Sequence, residues 1–195
     1  MKVISDYCPN WRELKIHETS PGGRGASIKL HGECEGYTAS QYYPNDILGQ
    51  PHPKSGYRCE NLEKLTFPDE SFDLFVSQYV MEHVFDPEAA FREIARVLKP
   101  GGAHIFTVPL INKTRSTEVW ASRGWNGEII YHPEPEYHGN PVDAKGSLVT
   151  MHWGYDIASF IVEKANTPTV IIAIDNIDLG IRAEYIDVVV SMRKQ

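Results

Sequence analysis

The chain has 195 residues, and 26 acidic side chains against 19 lysines and arginines give a formal net charge of −7 at pH 7. This length suits one globular domain, and 42% hydrophobic with 23% charged residues excludes wholesale disorder. An acidic chain lacks the basic surface that binds phosphate backbones, so we expect no nucleic-acid partner. No signal-peptide core or apolar run of roughly 18 residues is present. We therefore expect no membrane association and a cytoplasmic location.

The three cysteines predict reduced thiols rather than a disulfide framework. Cys8, Cys34 and Cys59 are few and widely spaced, and none forms the C-x-x-C pair typical of zinc sites and redox motifs. We expect free thiols, as in cytoplasmic proteins.

The first part of the chain predicts two strands with a glycine-rich turn between them. Residues 14–18 alternate apolar and polar positions, as a half-buried strand does, and lead into the Thr-Ser-Pro-Gly-Gly-Arg-Gly run at 19–25. A short helix or irregular stretch follows at 26–34, and 37–43 predicts a second strand. Residues 44–56 carry three prolines and two glycines, so the helix normally found here in an α/β fold is expected to be missing.

The middle of the chain holds the clearest helix. A brief third strand is predicted at 57–61, and the continuous apolar run at 72–77 predicts a buried parallel strand. Asp86 is placed as the N-cap of a helix whose first residue is a proline. The helix is expected to end at the Pro-Gly-Gly of 100–102, before a fifth strand at 103–108. Its apolar face is predicted to hold Ala90, Ile94, Val97 and Leu98.

The last part of the chain begins with an unpatterned segment. Residues 110–153 are rich in Trp, Tyr, His, Pro and Gly, which is typical of a functional lid. A helix is predicted at 155–165 and two final strands at 169–174 and 184–192, with a hairpin around 178–180. Strands separated by helices, ending in two successive strands, indicate an α/β fold of three layers with a mostly parallel sheet. Ligands of such sheets bind beyond the carboxyl ends of the strands.

Three linked sequence blocks carry a resemblance to a known family. They read NLEKLTFPDESFDL at 61–74, MEHVFDP at 81–87 and EIARVLKPGG at 93–102, almost without a gap. In residue identity and order they resemble the class I S-adenosylmethionine-dependent methyltransferases, most closely the small-molecule type 11 branch. The resemblance implies a Rossmann-like sheet of seven strands in the order 3-2-1-4-5-7-6 with the last strand antiparallel. We expect one methyltransferase-like domain over 1–195, in which about 110–153 forms a lid or substrate-side insertion.

The resemblance assigns the first cofactor contacts to the glycine-rich turn. In the family an acidic residue ends the first strand and a glycine loop follows it. Here these positions are Glu18 and the glycines Gly22, Gly23 and Gly25, with altered spacing. Glycine is needed because the backbone must approach the methionine part of S-adenosylmethionine closely.

Further cofactor contacts are implied at the ends of the next strands. The family's ribose-binding acid after the second strand is replaced by Ser40 and Gln41, which lack its charge. After the third strand, Asn61 is expected to accept a hydrogen bond from the adenine amino group, and the Leu62 backbone N–H to reach a ring nitrogen. Gln78, after the fourth strand, is placed at the methionine end.

Candidate catalytic groups are histidines. Methyl transfer requires a base only for a hydroxyl or a protonated amine acceptor. The candidates are His83, beside the fourth strand, and His132 and His138 in the unpatterned segment, with Glu136 and His152 nearby. The spacing of histidines and glutamates within residues 131–138 matches no common metal motif, so we expect no metal. Five aromatic residues either wall an acceptor pocket or pack the lid against the sheet: Trp120, Trp125, Tyr131, Tyr137 and Trp153.

These observations favour an S-adenosylmethionine-dependent methyltransferase that acts on a small molecule or a saccharide, with oxygen as the preferred methyl acceptor and S-adenosylhomocysteine as product. The alternative is a methyltransferase-like module that has lost turnover and serves binding or assembly. It is motivated by the irregular glycine loop, the missing ribose carboxylate and the missing helix. A nicotinamide-dependent oxidoreductase ranks third, because its G-x-G-x-x-G fingerprint is absent.

Overall fold

The computed structural model describes residues 1–140, 143–182 and 186–195. Seven strands form the main sheet: β1 (Ile16–Thr19), β2 (Tyr37–Gln41), β3 (Arg58–Cys59), β4 (Phe72–Gln78), β5 (Leu98–Pro109), β6 (Thr169–Ile172) and β7 (Ile186–Met192). The α-helices of the described residues are α1 (Lys2–Tyr7), α2 (Ala26–Glu33), α3 (Pro87–Val97) and α4 (Ile157–Ala165). None of these helices has the length and apolar character needed to cross a bilayer.

The sheet has the predicted topology. Its strand order is β3-β2-β1-β4-β5-β7-β6, and β1 to β5 run parallel to one another. The last strand, β7, is antiparallel to both of its neighbours. The three-layer α/β fold is therefore confirmed, with the carboxyl ends of β1, β2 and β4 along one edge.

Most element predictions hold. The chain between β2 and β3 contains no helix, as its prolines and glycines predict. The hairpin is confirmed, because Asp175–Asn176 pairs with Ile181–Arg182 around the turn. Asp86 caps α3 as expected, its carboxylate accepting from the Ala89 N–H at 2.9 Å. The predicted start of the final strand at Glu184 lies outside the described residues.

The boundary between α3 and β5 was predicted wrongly. The strand begins at Leu98, so the Pro-Gly-Gly run lies inside β5 rather than before it. The pairing with β4 shifts register between Phe72 and Leu74, which marks a bulge. Glycine suits this bulge: Gly101 has a φ of +79°, and a Cβ on Gly102 would lie 3.0 Å from the Asp73 carbonyl oxygen.

The two faces of the sheet carry separate cores. Along β4, Leu74 and Val76 point to one face, whereas Phe75 points to the other. The first face packs beneath α1 and α2, and the second beneath α3 and α4. The large buried side chains include Trp11 and Leu30 on the first face, and Phe75, Phe106 and Trp153 on the second.

Two histidines are buried in strands of the sheet. His104 in β5 is 1% exposed, bonds the Ser77 hydroxyl through Nε2 at 2.9 Å and stacks on Phe106. His17 in β1 lies fully buried against aromatic rings. Burial lowers the pKa of each to about 3, so both are neutral in the folded protein.

We expect these histidines to make the protein less stable in mild acid. The unfolded chain protonates His104 near its ordinary pKa of 6.5, whereas the folded chain does so only near 3. Its stabilising contribution is complete above pH 6.5 and is lost as the pH falls towards 3. The free energy of unfolding should drop by about 2 kcal/mol per histidine between pH 7 and pH 5, measured by urea titration.

A double variant separates the share of His104. Changing His104→Phe together with Ser77→Ala removes donor and acceptor at once, so stability at pH 7 should change little. The decrease in the free energy of unfolding between pH 7 and pH 5 should be about half as large, because His17 still titrates. A pH dependence equal to that of the unmodified protein would contradict the assignment.

Candidate functional site

A cleft of about 350 Å³ lies at the carboxyl ends of the parallel strands. Its floor is made by the residues that follow β1, β2, β3 and β4, as expected for ligand sites in such sheets. Its far wall comes from residues 83–85 and from the segment after β5. Of the predicted site residues, Gly22, Gln41, Asn61, Leu62, Gln78 and His83 line it.

Glu18 ties the glycine-rich turn to β4. Its side chain is fully buried at the centre of β1, and one carboxylate oxygen accepts from the Ser27 hydroxyl at 2.7 Å and from the Gln78 amide at 2.8 Å. The other oxygen accepts from the Tyr37 hydroxyl at 2.7 Å. Burial, and then the nearby Glu18 carboxylate, raise the pKa of Tyr37. Glu18 therefore orders the loop from beneath rather than facing the cleft.

The turn itself approaches the cleft at its first residues. Ser20 has a φ of +51°, a left-handed conformation that favours glycine, and its N–H donates to the Ser40 carbonyl at 2.8 Å. It stands where the family's E-x-G pattern would place a glycine after Glu18. The Gly22 N–H donates to the Ser27 hydroxyl at 3.1 Å. Together these bonds hold the first half of the turn over the cleft.

The later glycines of the turn do not reach the cleft. A Cβ built on Gly23 would meet no atom within 4 Å, and Gly25, with a φ of +62°, is the N-cap of α2. Both are exposed. Of the three predicted glycines, Gly22 therefore lines the cleft and Gly23 and Gly25 do not, while cofactor contact itself stays a prediction.

At the end of β2, the two residues predicted to contact the ribose point to opposite faces of the sheet. Gln41 lines the cleft, but Ser40 does not, because its hydroxyl bonds His17 Nε2 at 2.9 Å on the buried face. The alternation of a strand turns successive side chains to opposite faces. Ser40 is therefore corrected to a core residue, and Gln41 occupies the position beside the cleft.

The segment after β3 forms another side of the cleft. Asn61 Oδ1 accepts from the Glu63 N–H at 3.0 Å, which fixes the turn that presents Asn61 and Leu62 to the cleft. Glu63 in turn accepts from the Phe85 N–H at 2.9 Å, joining this turn to the far wall. Arg123 lies over Phe85 with its guanidinium 4.4 Å from the ring centre.

His83 and His138 meet at the far wall, with ring centres 5.2 Å apart. His83 Nδ1 lies 2.9 Å from the Leu148 carbonyl oxygen, and burial lowers the pKa of the imidazole. His138 Nε2 lies 3.2 Å from a carboxylate oxygen of Glu136. The carboxylates of Glu82 and Glu136 raise the pKa of His138 against the opposing effect of burial.

The third candidate histidine is elsewhere. His132 is exposed and bonds the Ser122 hydroxyl at 3.0 Å on the hairpin formed by Ala121–Arg123 and Ile129–Tyr131. It does not line the cleft, so the structure does not support a catalytic role for it. The five candidate aromatic residues also lie outside the cleft lining: Trp153 is core, Trp120 stacks on His152, and Trp125 is 96% exposed.

Sequence reasoning missed several residues of the site. Glu60, Glu63, Arg123, Gly139 and Asn140 line the cleft, and Glu82 lies buried beside the two histidines. Glu63 carried a usable signal, since it follows the predicted Asn61 and Leu62 at the end of β3. No sequence signal pointed to Arg123, Gly139 or Asn140, because residues 110–153 show no periodic pattern that predicts their position.

The comparisons with known proteins agree with this geometry. Residues 32–106 match the family described as "Methyltransferase domain". The matched region runs from the end of α2 into β5 and contains all three sequence blocks. This part of the chain is therefore similar to a methyltransferase domain.

Two curated relatives show how far the sequence likeness extends. The ubiquinone biosynthesis O-methyltransferase of Parvibaculum lavamentivorans is 35% identical over 68 residues, which are 35% of this chain and 26% of the relative. The ubiquinone/menaquinone biosynthesis C-methyltransferase UbiE of Vibrio campbellii is 37% identical over 71 residues, with 35% and 26% coverage. The aligned part of the chain spans about a quarter of the length of these relatives.

Solved structures extend the likeness of this methyltransferase fold to the whole chain. An S-adenosylmethionine-dependent methyltransferase from Mesorhizobium loti has a TM-score of 0.60 at 17% identity, covering 98% of this chain and 96% of that one. The 1,6-didemethyltoxoflavin-N1-methyltransferase of Burkholderia thailandensis, solved with S-adenosylhomocysteine, has a TM-score of 0.58 at 10% identity, with 100% and 76% coverage. At these identities the structures support the fold alone.

Proposed function

We propose that this chain is an S-adenosylmethionine-dependent methyltransferase that acts on a small molecule or a saccharide, with an oxygen atom as the preferred acceptor. The observation that carries the proposal is the cleft at the carboxyl ends of β1 to β4, beneath a turn that Glu18 and Gln78 hold in place. Residues 1–195 would form one domain, with about 110–153 as its substrate-side lid.

The residues of the cleft fit the cofactor. Gly22 offers backbone without a side chain at the turn, where the methionine part needs close approach. Gln41 replaces the usual ribose carboxylate with an amide that both donates and accepts hydrogen bonds. Asn61 and Leu62 form the side that would hold the adenine. The change from carboxylate to amide at Gln41 predicts weaker ribose binding, because charge-assisted hydrogen bonds are stronger than neutral ones.

The bound cofactor supplies an electrophilic methyl group on a sulfonium, so the protein's part is to orient the reactants and exclude water. Gln78 fixes the methionine end through its bonds to Glu18 and Ser27. The acceptor would enter from the opposite end, bounded by His83. The free thiols of Cys8, Cys34 and Cys59 suit the cytoplasmic location that we propose.

Calorimetric titration with S-adenosylmethionine and S-adenosylhomocysteine tests the proposal, using two adjacent glycines as a matched pair. Gly22→Val places a branched side chain in the cleft lining and should weaken binding at least about tenfold, a loss of about 1.4 kcal/mol. Gly23→Val meets open space and should leave the dissociation constant nearly unchanged.

The outcomes decide between the two functions. Micromolar binding that only Gly22→Val weakens would support the enzyme and justify a screen of hydroxylated acceptors. If the unmodified protein binds neither compound, the proposal fails, and the methyltransferase-like binding module becomes the better account. Equal effects of both variants would place the ligand away from Gly22 and would contradict the site.

A further inference from the structure

A buried carboxylate at the far wall has no hydrogen-bond partner. Glu82 is 1% exposed, and neither of its carboxylate oxygens bonds to another group of the described residues. A buried carboxylate that accepts no hydrogen bond is unfavourable, so this unmet bonding capacity points to a missing donor or cation.

Two imidazole nitrogens face this carboxylate. His83 Nε2 and His138 Nδ1 each lie 3.8 Å from Glu82 Oε1, too far for a hydrogen bond. The three ligand atoms lie within 4.8 Å of one another. Donors around a tetrahedral zinc ion stand about 3.3 Å apart, so contractions of up to about 1.5 Å would bring these three to binding distance.

The other nitrogen of each imidazole is already engaged. His83 Nδ1 donates to the Leu148 carbonyl oxygen, and His138 Nε2 donates to Glu136. These bonds leave the lone pair on the nitrogen that faces Glu82. A histidine that binds a metal usually donates its second N–H to a carbonyl or a carboxylate in this way, which fixes its tautomer and orientation.

Further hydrogen bonds hold Glu136 and the Glu82 backbone in place. The second carboxylate oxygen of Glu136 bonds His152 Nε2 at 2.9 Å, and Trp120 stacks on that imidazole. The backbone carbonyl of Glu82 accepts from the Thr150 N–H at 2.7 Å. The segment around residue 150 therefore holds both the carboxylate and the histidines in position before any ion arrives.

We propose that Glu82, His83 and His138 form a binding site for one divalent transition-metal ion. Two imidazoles with one carboxylate suit zinc, iron(II) or cobalt(II) rather than magnesium or calcium, which prefer oxygen donors alone. Three protein ligands leave coordination positions open, and His83 lines the cleft, so the open side faces the acceptor end. This reverses the expectation of no metal, which rested on spacing within residues 131–138 alone.

The inference deepens the proposed function without depending on it. If methyl transfer takes place at this cleft, an acceptor oxygen bound to the ion would lose its proton more readily. Metal binding does not depend on methyl transfer, because the metal ligands are separate from Gly22, Gln41 and Asn61. The two proposals can therefore fail independently.

Titration of the metal-free protein with Zn²⁺ alone, and with Co²⁺ followed by visible absorption, tests the site. We expect one ion per chain with at least micromolar affinity, a rise in melting temperature, and visible Co²⁺ bands typical of a low-coordinate site. Mg²⁺ should produce none of these effects. His138→Ala, at a partly exposed position, should weaken Zn²⁺ binding about 10–100-fold, as should Glu82→Gln.

His132→Ala is the matched control, because His132 lies in the same segment but away from Glu82. It should bind Zn²⁺ as the unmodified protein does. Circular dichroism identifies any variant that fails to fold. If Glu82→Gln fails to fold, His138→Ala still tests the site. No saturable binding by the unmodified protein, or equal binding by His138→Ala, would overturn the proposal. Titration of metal-free protein with S-adenosylhomocysteine tests the proposed function separately.

Discussion

Replacing Glu18 with alanine is expected to weaken cofactor binding strongly while the sheet still folds. The variant removes the acceptor of three hydrogen bonds, from Ser27, Tyr37 and Gln78, and leaves buried donors unsatisfied. At about 1–3 kcal/mol for each unsatisfied group, the turn loses the anchor that holds it over the cleft. We expect the dissociation constant of S-adenosylhomocysteine to rise by at least about 100-fold, near 3 kcal/mol.

Glu18→Gln separates the geometry from the charge. Its amide oxygen can keep the bonds to Ser27 and Gln78, and its amide nitrogen can donate to the Tyr37 hydroxyl. This variant should therefore bind S-adenosylhomocysteine within about tenfold of the unmodified protein. If both variants lose binding equally, the charge of Glu18 matters more than its scaffold role, and our account of the turn is wrong.

Trp153→Ala should have the largest effect on stability. The indole is fully buried, packs against Phe91 and Phe160, and donates from Nε1 to the Met81 carbonyl at 3.1 Å. Removing it opens a large cavity beneath the far wall. The free energy of unfolding should fall by about 3–5 kcal/mol in urea titrations.

Trp153→Phe keeps most of the packing but loses the bond to Met81. It should lose less than half as much stability as Trp153→Ala, because it leaves a smaller cavity and one unpaired carbonyl. A loss below about 1 kcal/mol for Trp153→Ala would mean that the core closes around the gap, against the packing described above.

The fold was predictable because local patterns and the family blocks agree. The N-cap at Asp86, the apolar run of β4 and the breakers between β2 and β3 each act over a few residues, so the sequence shows them directly. The start of β5 was missed for a physical reason. A Pro-Gly-Gly run normally ends an element, but here the pairing of β4 with β5 accepts it as a bulge near Gly102.

The candidate site was predictable only where it follows the strand ends. Gly22, Gln41, Asn61 and Gln78 were found because the carboxyl ends of parallel strands mark the ligand edge. Ser40 was misplaced, since the direction of its side chain depends on which face of β2 meets His17. Contacts between Glu82 and His138 join distant parts of the chain, and no short-range pattern encodes them.

The bonds that hold the far wall also set the order in which the protein acquires its cleft. Segment 81–84 is fastened to residues 148–153 by hydrogen bonds that span 65 to 72 residues of sequence. Closing loops of this length slows folding, and synthesis delivers the partner residues late. The strands β1 to β5 can thus assemble on a nascent chain before residues 148–153 close the cleft, so ligand binding requires synthesis at least through residue 153.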